Sequence, residues 1–150
     1  MHRRIRLSFP DDYVSCEAVL LDGAAPQTCA MIWEHLPLEG RTVHGMYSGP
    51  ELYITAHHLP DVELENGMHR PLPGDVGYWC NKPGKYATEP DRAVEILFIY
   101  DRGAAIMGSD GVPTFANLFA QITDDWEEFR SVARKVLTEG PKRLRIERVE

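Results

Sequence analysis

Apolar residues recur at every second position through most of this chain, and that period commits it to sheet. Ile5, Leu7 and Phe9 alternate with Arg4, Arg6 and Ser8 until Pro10-Asp11-Asp12 breaks the run as a turn. Cys16, Ala18 and Leu20 alternate with Glu17, Val19 and Leu21 up to Asp22-Gly23, so the chain opens on two strands joined by a turn. ELYITAH (51–57) alternates Leu52, Ile54 and Ala56 with Tyr53, Thr55 and His57, PGDVGYW (73–79) turns into Val76 and Tyr78, and VEILFIY (94–100) is nearly continuously apolar. NLFAQI (117–122) fits a further strand, and Leu144 with Ile146 a last one.

Two segments carry a helical period instead. Pro26, whose fixed φ suits a first helical turn, precedes Cys29, Ile32, Trp33 and Leu36, an i, i+3, i+4, i+7 stripe that Pro37 and Gly40 stop. Asp124 with Glu127 has the pattern of a capping box for a second helix, with Trp126, Phe129, Val132, Ala133, Val136 and Leu137 on one side and Gly140-Pro141 as its stop. Many antiparallel strands with two helices predict a mostly β fold: a closed barrel with the helices capping it, since closure removes exposed edges. The terminal strands, 3–9 and 142–148, should then be neighbours or near neighbours in one closed sheet, with Arg4 and Arg6 outside near Arg143 and Arg145 and offset by Glu147 and Glu150. Asn66-Gly67 suggests a hairpin turn, and residues 81–92 an exposed loop.

At 150 residues the chain reads as a single domain, 1–150. Its formal charge of −7 disfavours nucleic acid and anionic membranes. Cys16, Cys29 and Cys80 are odd in number and far apart, which is no disulfide framework, and no run reaches the length of a signal peptide or membrane span. A cytoplasmic location is the expectation.

The order of elements, with Ala25-Pro26-Gln27-Thr28 ahead of the first helix and Leu118-Phe119-Ala120-Gln121-Ile122 ahead of the second, resembles the cyclophilins. Pro73-Gly74-Asp75-Val76-Gly77-Tyr78-Trp79 is similar to a strand of a small bacterial cyclophilin-like family of unknown function. The resemblance implies a cyclophilin-like barrel. Prolyl isomerase chemistry does not carry over: the cyclophilin His-Arg pair is matched by His44-Gly45, and the position of a groove-lining Trp by Met107-Gly108-Ser109. The fold is expected without that activity.

Other chemistries are weak. His57 and His58 on one strand would point to opposite faces, so neither they nor His44 and His69 make a convincing metal site, and no metal or other cofactor is expected. Cys80 lacks a local base or cation and reads as a half-buried thiol. Glu95 either faces inward, where it would need a partner, or stays in water at a strand end. The candidate ligand-binding set is His44, Tyr47, Tyr53, His57, Trp79, Glu95 and Tyr100, aromatics with a few polar groups around a barrel mouth; the bland alternative makes the aromatics core and the histidines surface. No catalytic residue is assigned. Two functions stay open: a small-molecule binding protein or enzyme, with amide or imide metabolites suggested by analogy to enzymes carrying such barrels, and a noncatalytic interaction or accessory module. Homo-oligomers are compatible with either.

Overall fold

The structure, a computed structural model, describes residues 2–81 and 91–150. Its elements are β1 (Arg4–Phe9), a single tight turn at Pro10–Asp12, β2 (Val14–Leu20), α1 (Pro26–His35), β3 (Leu38–Arg41), β4 (Val43–His44), β5 (Glu51–Thr55) and β6 (Gly67–Met68). There follow β7 (Asp75–Asn81), β8 (Ala93–Ile99), β9 (Ala116–Ile122), α2 (Glu127–Glu139) and β10 (Arg143–Val149). The fold is mostly β: one antiparallel sheet of ten strands among the described residues, in the order β3-β10-β1-β2-β9-β7-β8-β5-β4 with β6 beside β9.

That order has two ends, and this corrects the expected closed barrel. The ends are the two halves of one stretch, 38–44, interrupted at Thr42. Thr42 turns its N–H and its hydroxyl to the Lys142 carbonyl, at 2.8 and 2.9 Å, so β3 pairs with β10 whereas β4 pairs with β5. Between β3 and β5 there is packing rather than a ladder: a side chain added at Gly40 would sit 3.2 Å from the Ile54 Cβ.

The terminal strands are neighbours, with Leu7 opposite Ile146 and Arg6 opposite Glu147. Counter-charge on their outer face comes largely from Glu17, which bridges Arg4 and Arg6, and from Glu39, which bridges Arg143 and Arg145; Glu147 joins Arg6 and Arg145. Inside, Phe9, Phe98 and Phe129 pack in edge-on and tilted contacts with centroids 4.6 to 6.4 Å apart, tying β1, β8 and α2 into one core.

Strands β5, β7, β8 and β9 are also covered on their outer face. Trp79, Leu97, Ile99, Ala116 and Leu118 form a second cluster under Ala104 and Ile106. The segment that supplies this cover is irregular and has no period to betray it. Its amides are satisfied locally: Ala105 donates to the Ser48 carbonyl at 3.0 Å and Ile106 to that of His69 at 2.8 Å.

Several local expectations change. β7 runs to Asn81, so the expected loop begins later, and residues 82–90 of it lie outside those described. β5 stops at Thr55, which leaves His57 and His58 in a turn. Gly67 pairs with Asn117 on β9 and forms no two-stranded hairpin of its own. The capping box does not form, because Asp124 accepts the Glu17 N–H at 3.2 Å instead.

The start of α1 is capped from elsewhere. Ala25 has no side-chain oxygen, and the Glu65 carboxylate takes the N–H groups of Gln27 and Thr28, at 2.9 and 3.0 Å, with the Thr28 hydroxyl at 2.8 Å. Asn117 locks the arrangement by donating to the buried Thr28 hydroxyl and accepting from the Asn66 amide. Burial opposes ionisation of Glu65, but the three donors outweigh it and hold the carboxyl below its ordinary range. Glu65→Ala should therefore cost about 1–2 kcal/mol, the usual worth of a lost helix cap. Urea unfolding of the two proteins at pH 7 measures it, and an unchanged midpoint would refute the remote cap.

Candidate functional site

Side chains at alternate positions of a strand share a face, so Glu51 and Tyr53 on β5 look outward together, beside the outward residues of the next strands. Tyr53 lies opposite Leu97, and Glu95 of β8 opposite Trp79 of β7. The outer cover stops short of them, leaving a groove of about 90 Å³ between this face, the loop 45–48 and the segment 106–109. Tyr47, Tyr53 and Trp79 wall it, with Met46 and Met107 at the rim and two carboxyls, Glu51 and Glu95, among its lining residues.

Glu51 is the distinctive group. Its residue is only 4% exposed, yet no described residue donates a hydrogen bond or an ionic partner to its carboxyl. Burial alone pushes its pKa up from 4.5 to about 7, because nothing nearby stabilises the charged form. The backbone holds it tightly: its N–H donates to Gly49 at 2.7 Å and its carbonyl accepts from Gly45 at 2.8 Å. A Cβ at position 45 would lie 2.7 Å from Glu51 Oε1, so a side chain there would push the carboxyl aside. The loop thus gives up a side chain at 45 to seat a carboxyl at 51.

Four of the seven candidate residues, Tyr47, Tyr53, Trp79 and Glu95, line this groove. The other three stand apart from it. His44 and Tyr100 bond each other, imidazole Nε2 to phenol oxygen at 2.7 Å, and Tyr100 belongs to the inner core. His57 is exposed in the turn after β5, where its Nδ1 accepts the Val94 N–H at 3.0 Å. Glu95 is half-buried, and the Trp79 indole donates to the Thr114 hydroxyl at 3.4 Å. Glu51 escaped the sequence reading although the same period-two argument that paired Tyr53 with His57 also places it on that face.

Among the described residues, no group of three or more His, Cys, Asp or Glu is arranged to hold a metal ion, and no helix is long and apolar enough to cross a membrane. A wider hollow is lined by Asp61, Val62, Glu63, Leu64 and Cys80, none of them aromatic, among the described residues. Burial raises the Cys80 pKa, and its thiol lies 3.4 Å from the Asn81 carbonyl, so it is no activated nucleophile.

Fold and groove together describe a β-sheet domain with an outward-facing, acid-bearing aromatic cleft. A family model described as "Protein of unknown function (DUF3830)" matches residues 7–147, and the chain belongs to that family. Among curated proteins no match is found. Of solved structures, the chain is similar to that titled "Structure of McbB in complex with tryptophan", with TM-score 0.67 and 17% identity over 96% of this chain and 44% of that one. It thus spans less than half of that protein's length. It is also similar to the hypothetical protein AF2241 from Archaeoglobus fulgidus, with TM-score 0.62 and 21% identity over 99% of this chain and 95% of that one. At such identities the likeness is one of fold.

Glu51 also sets a pH dependence. Its folded pKa of about 7 lies above the ordinary 4.5, so the folded protein keeps a proton that the unfolded chain gives up between these values. Its contribution to stability is therefore complete below pH 4.5 and is lost as pH rises to about 7. At ~1.4 kcal/mol per pH unit the loss reaches about 3 kcal/mol. Glu51→Gln should lack this decline: between pH 5 and 8.5 the wild type should lose up to about 3 kcal/mol relative to the variant in urea unfolding. Parallel pH profiles would show that Glu51 is not held in its neutral form.

Proposed function

We propose that this chain is a small-molecule binding protein, or an enzyme, that uses the groove beside Glu51. The observation that carries the reading is a carboxyl buried at the wall of an aromatic cleft with no partner from the described residues. Its oxygens keep contact with the groove's solvent, so a bound molecule that hydrogen-bonds to them would take the place of water. Three aromatic walls and a few polar groups are the usual composition of a ligand site. With a pKa near neutrality, Glu51 is also the group suited to pass a proton to or from a bound substrate, and Glu95 is the second candidate.

The frame we infer is cyclophilin-like, supported by the way 38–44 reaches β10 with one half and β5 with the other. Within that frame the chain lacks prolyl isomerase activity, because Gly45 next to His44 offers no guanidinium to the prolyl amide. An amide or imide ligand would use a protonated Glu51 as one donor and one acceptor; an ionised Glu51 would instead offer its charge. The alternative of a noncatalytic interaction module has one support, the exposed Leu64, Met68 and Phe115 gathered around Gly67.

The test is a fragment and metabolite screen followed by amide NMR. Binders should shift residues 45–53, 106–109 and the Trp79 indole, and Trp79→Ala should weaken them by about 1–3 kcal/mol, the usual cost of a lost aromatic anchor. Binders confined to the hollow at 61–64, or none at all, would sink the reading. In a protease-coupled assay the protein should leave proline-peptide isomerisation at the buffer rate, and clear acceleration would contradict that part.

A further inference from the structure

We infer that Tyr100 and His44, acting from the inner face of the sheet, are the positioning residues that set where the Glu51 carboxyl stands in the outer groove. The inference rests on reading the groove as a ligand site and adds the device that holds its acid in place.

Alternation puts the two parts on opposite faces. His44 lies opposite Leu52, which shares the inner core with Tyr100, whereas Glu51 lines the outer groove. The backbone of Gly45 joins them. Its N–H donates to the Glu51 carbonyl at 2.8 Å, and its own carbonyl lies 2.9 Å from His44 Nδ1. A carbonyl can only accept, so Nδ1 carries the proton and the neutral ring keeps its lone pair at Nε2. The Tyr100 hydroxyl donates to that lone pair at 2.7 Å. Every bond in the chain therefore has a direction: phenol to imidazole, imidazole to the Gly45 carbonyl, Gly45 N–H to the Glu51 carbonyl.

The Gly45 backbone is also the surface against which the carboxyl rests. A Cβ built there would lie 2.7 Å from Glu51 Oε1 and 3.3 Å from Glu51 Cβ, so a small turn of this backbone moves the wall against the acid. Tyr100 grips the other end of the same loop as well, because its N–H donates to the Pro50 carbonyl at 3.0 Å, one residue before Glu51. The anchor is firm: Tyr100 is 7% exposed, and its carbonyl accepts from Arg130 on α2. By contrast the loop's tip, Met46 and Tyr47, is exposed. Ser48 ties the middle of the loop to the segment over the outer face, and the Gly45 end is held through His44.

The experiment follows the Glu51 carboxyl by 13C NMR in the full chain from about pH 4 to about pH 9. In the wild type it should titrate at about 7. Tyr100→Phe, which removes one oxygen and keeps the ring in the core, and His44→Ala should each lower that midpoint by about one pH unit or more, as the loop loosens and water reaches the carboxyl. The double variant should match His44→Ala alone, since the hydroxyl acts through the imidazole. His44→Asn, whose side-chain amide can still donate to the Gly45 carbonyl, should restore most of the wild-type midpoint. Glu95, also in the lining, should keep its midpoint throughout, which separates a local shift from general loosening. If His44→Ala fails to fold, Tyr100→Phe and His44→Asn decide. Variants that lose stability in urea yet titrate like the wild type, additive shifts in the double variant, or no recovery with Asn overturn the positioning role and leave the groove standing. A wild-type midpoint near the ordinary 4.5 removes the seated carboxyl itself, and the groove reading falls with it.

Discussion

Double burial of the central strands is the constraint on which the rest of this molecule depends. A sheet with one dry face needs only a core, but β5, β7, β8 and β9 carry apolar residues on both faces and must be covered twice. The inner face is closed by the aromatic contact of Phe9, Phe98 and Phe129 and by the helices. The outer face is closed by a segment without regular structure, anchored through Ser48, His69 and Thr114. A cover made of loop has an end. Where it ends, the outer face opens into the groove, and the residues there are bound to be mixed: rings continuing the apolar cluster, then carboxyls turning toward water.

Glu51 sits at this boundary. Two residues before it, Gly49 is exposed, whereas its lateral partner across the β5–β8 ladder is Ile99, in the outer cluster. Desolvation without compensation is what separates it from the molecule's other acids. Glu17 and Glu65 are held below the ordinary carboxylate range, Glu17 by Arg4 and Arg6 and Glu65 by the start of α1, in both cases against the effect of burial. The same side-chain type thus serves as surface counter-charge, as helix cap and as an unpaired group in a cleft, and only the neighbours distinguish the three.

The distribution of charge follows the same logic. Arginines crowd the outer face of β1 and β10, where every second residue is wet, and are neutralised pairwise by Glu17, Glu39 and Glu147. Trp33 on α1 is flanked by the guanidiniums of Arg3 and Arg148, at 5.2 and 4.9 Å from its ring.

What the sequence determined by itself is what depends on neighbours in the chain. The alternation at Ile5, Leu7 and Phe9, the stripe from Cys29 to Ile32 and the turn at Pro10 are local periods and local stereochemistry, and they place β1, α1 and the predominance of β structure. That the two terminal strands lie side by side followed from each having a single apolar face; their antiparallel register came from the structure. Tyr47, Tyr53, Trp79 and Glu95 could be proposed for a site because aromatics beside an acid are visible one at a time. Tertiary structure decided the rest, because it turns on which distant atoms meet. Thr42 splits one strand between two partners through a contact with Lys142, and so leaves the sheet's hydrogen-bonded order with two ends. Asp124 leaves its own helix to accept from Glu17, and Glu65 reaches α1 from 37 residues away. His44 and Tyr100 are spent on each other. Above all, that Glu51 is buried and Gly45 makes its room is a matter of packing across a loop, and no period in the chain records it.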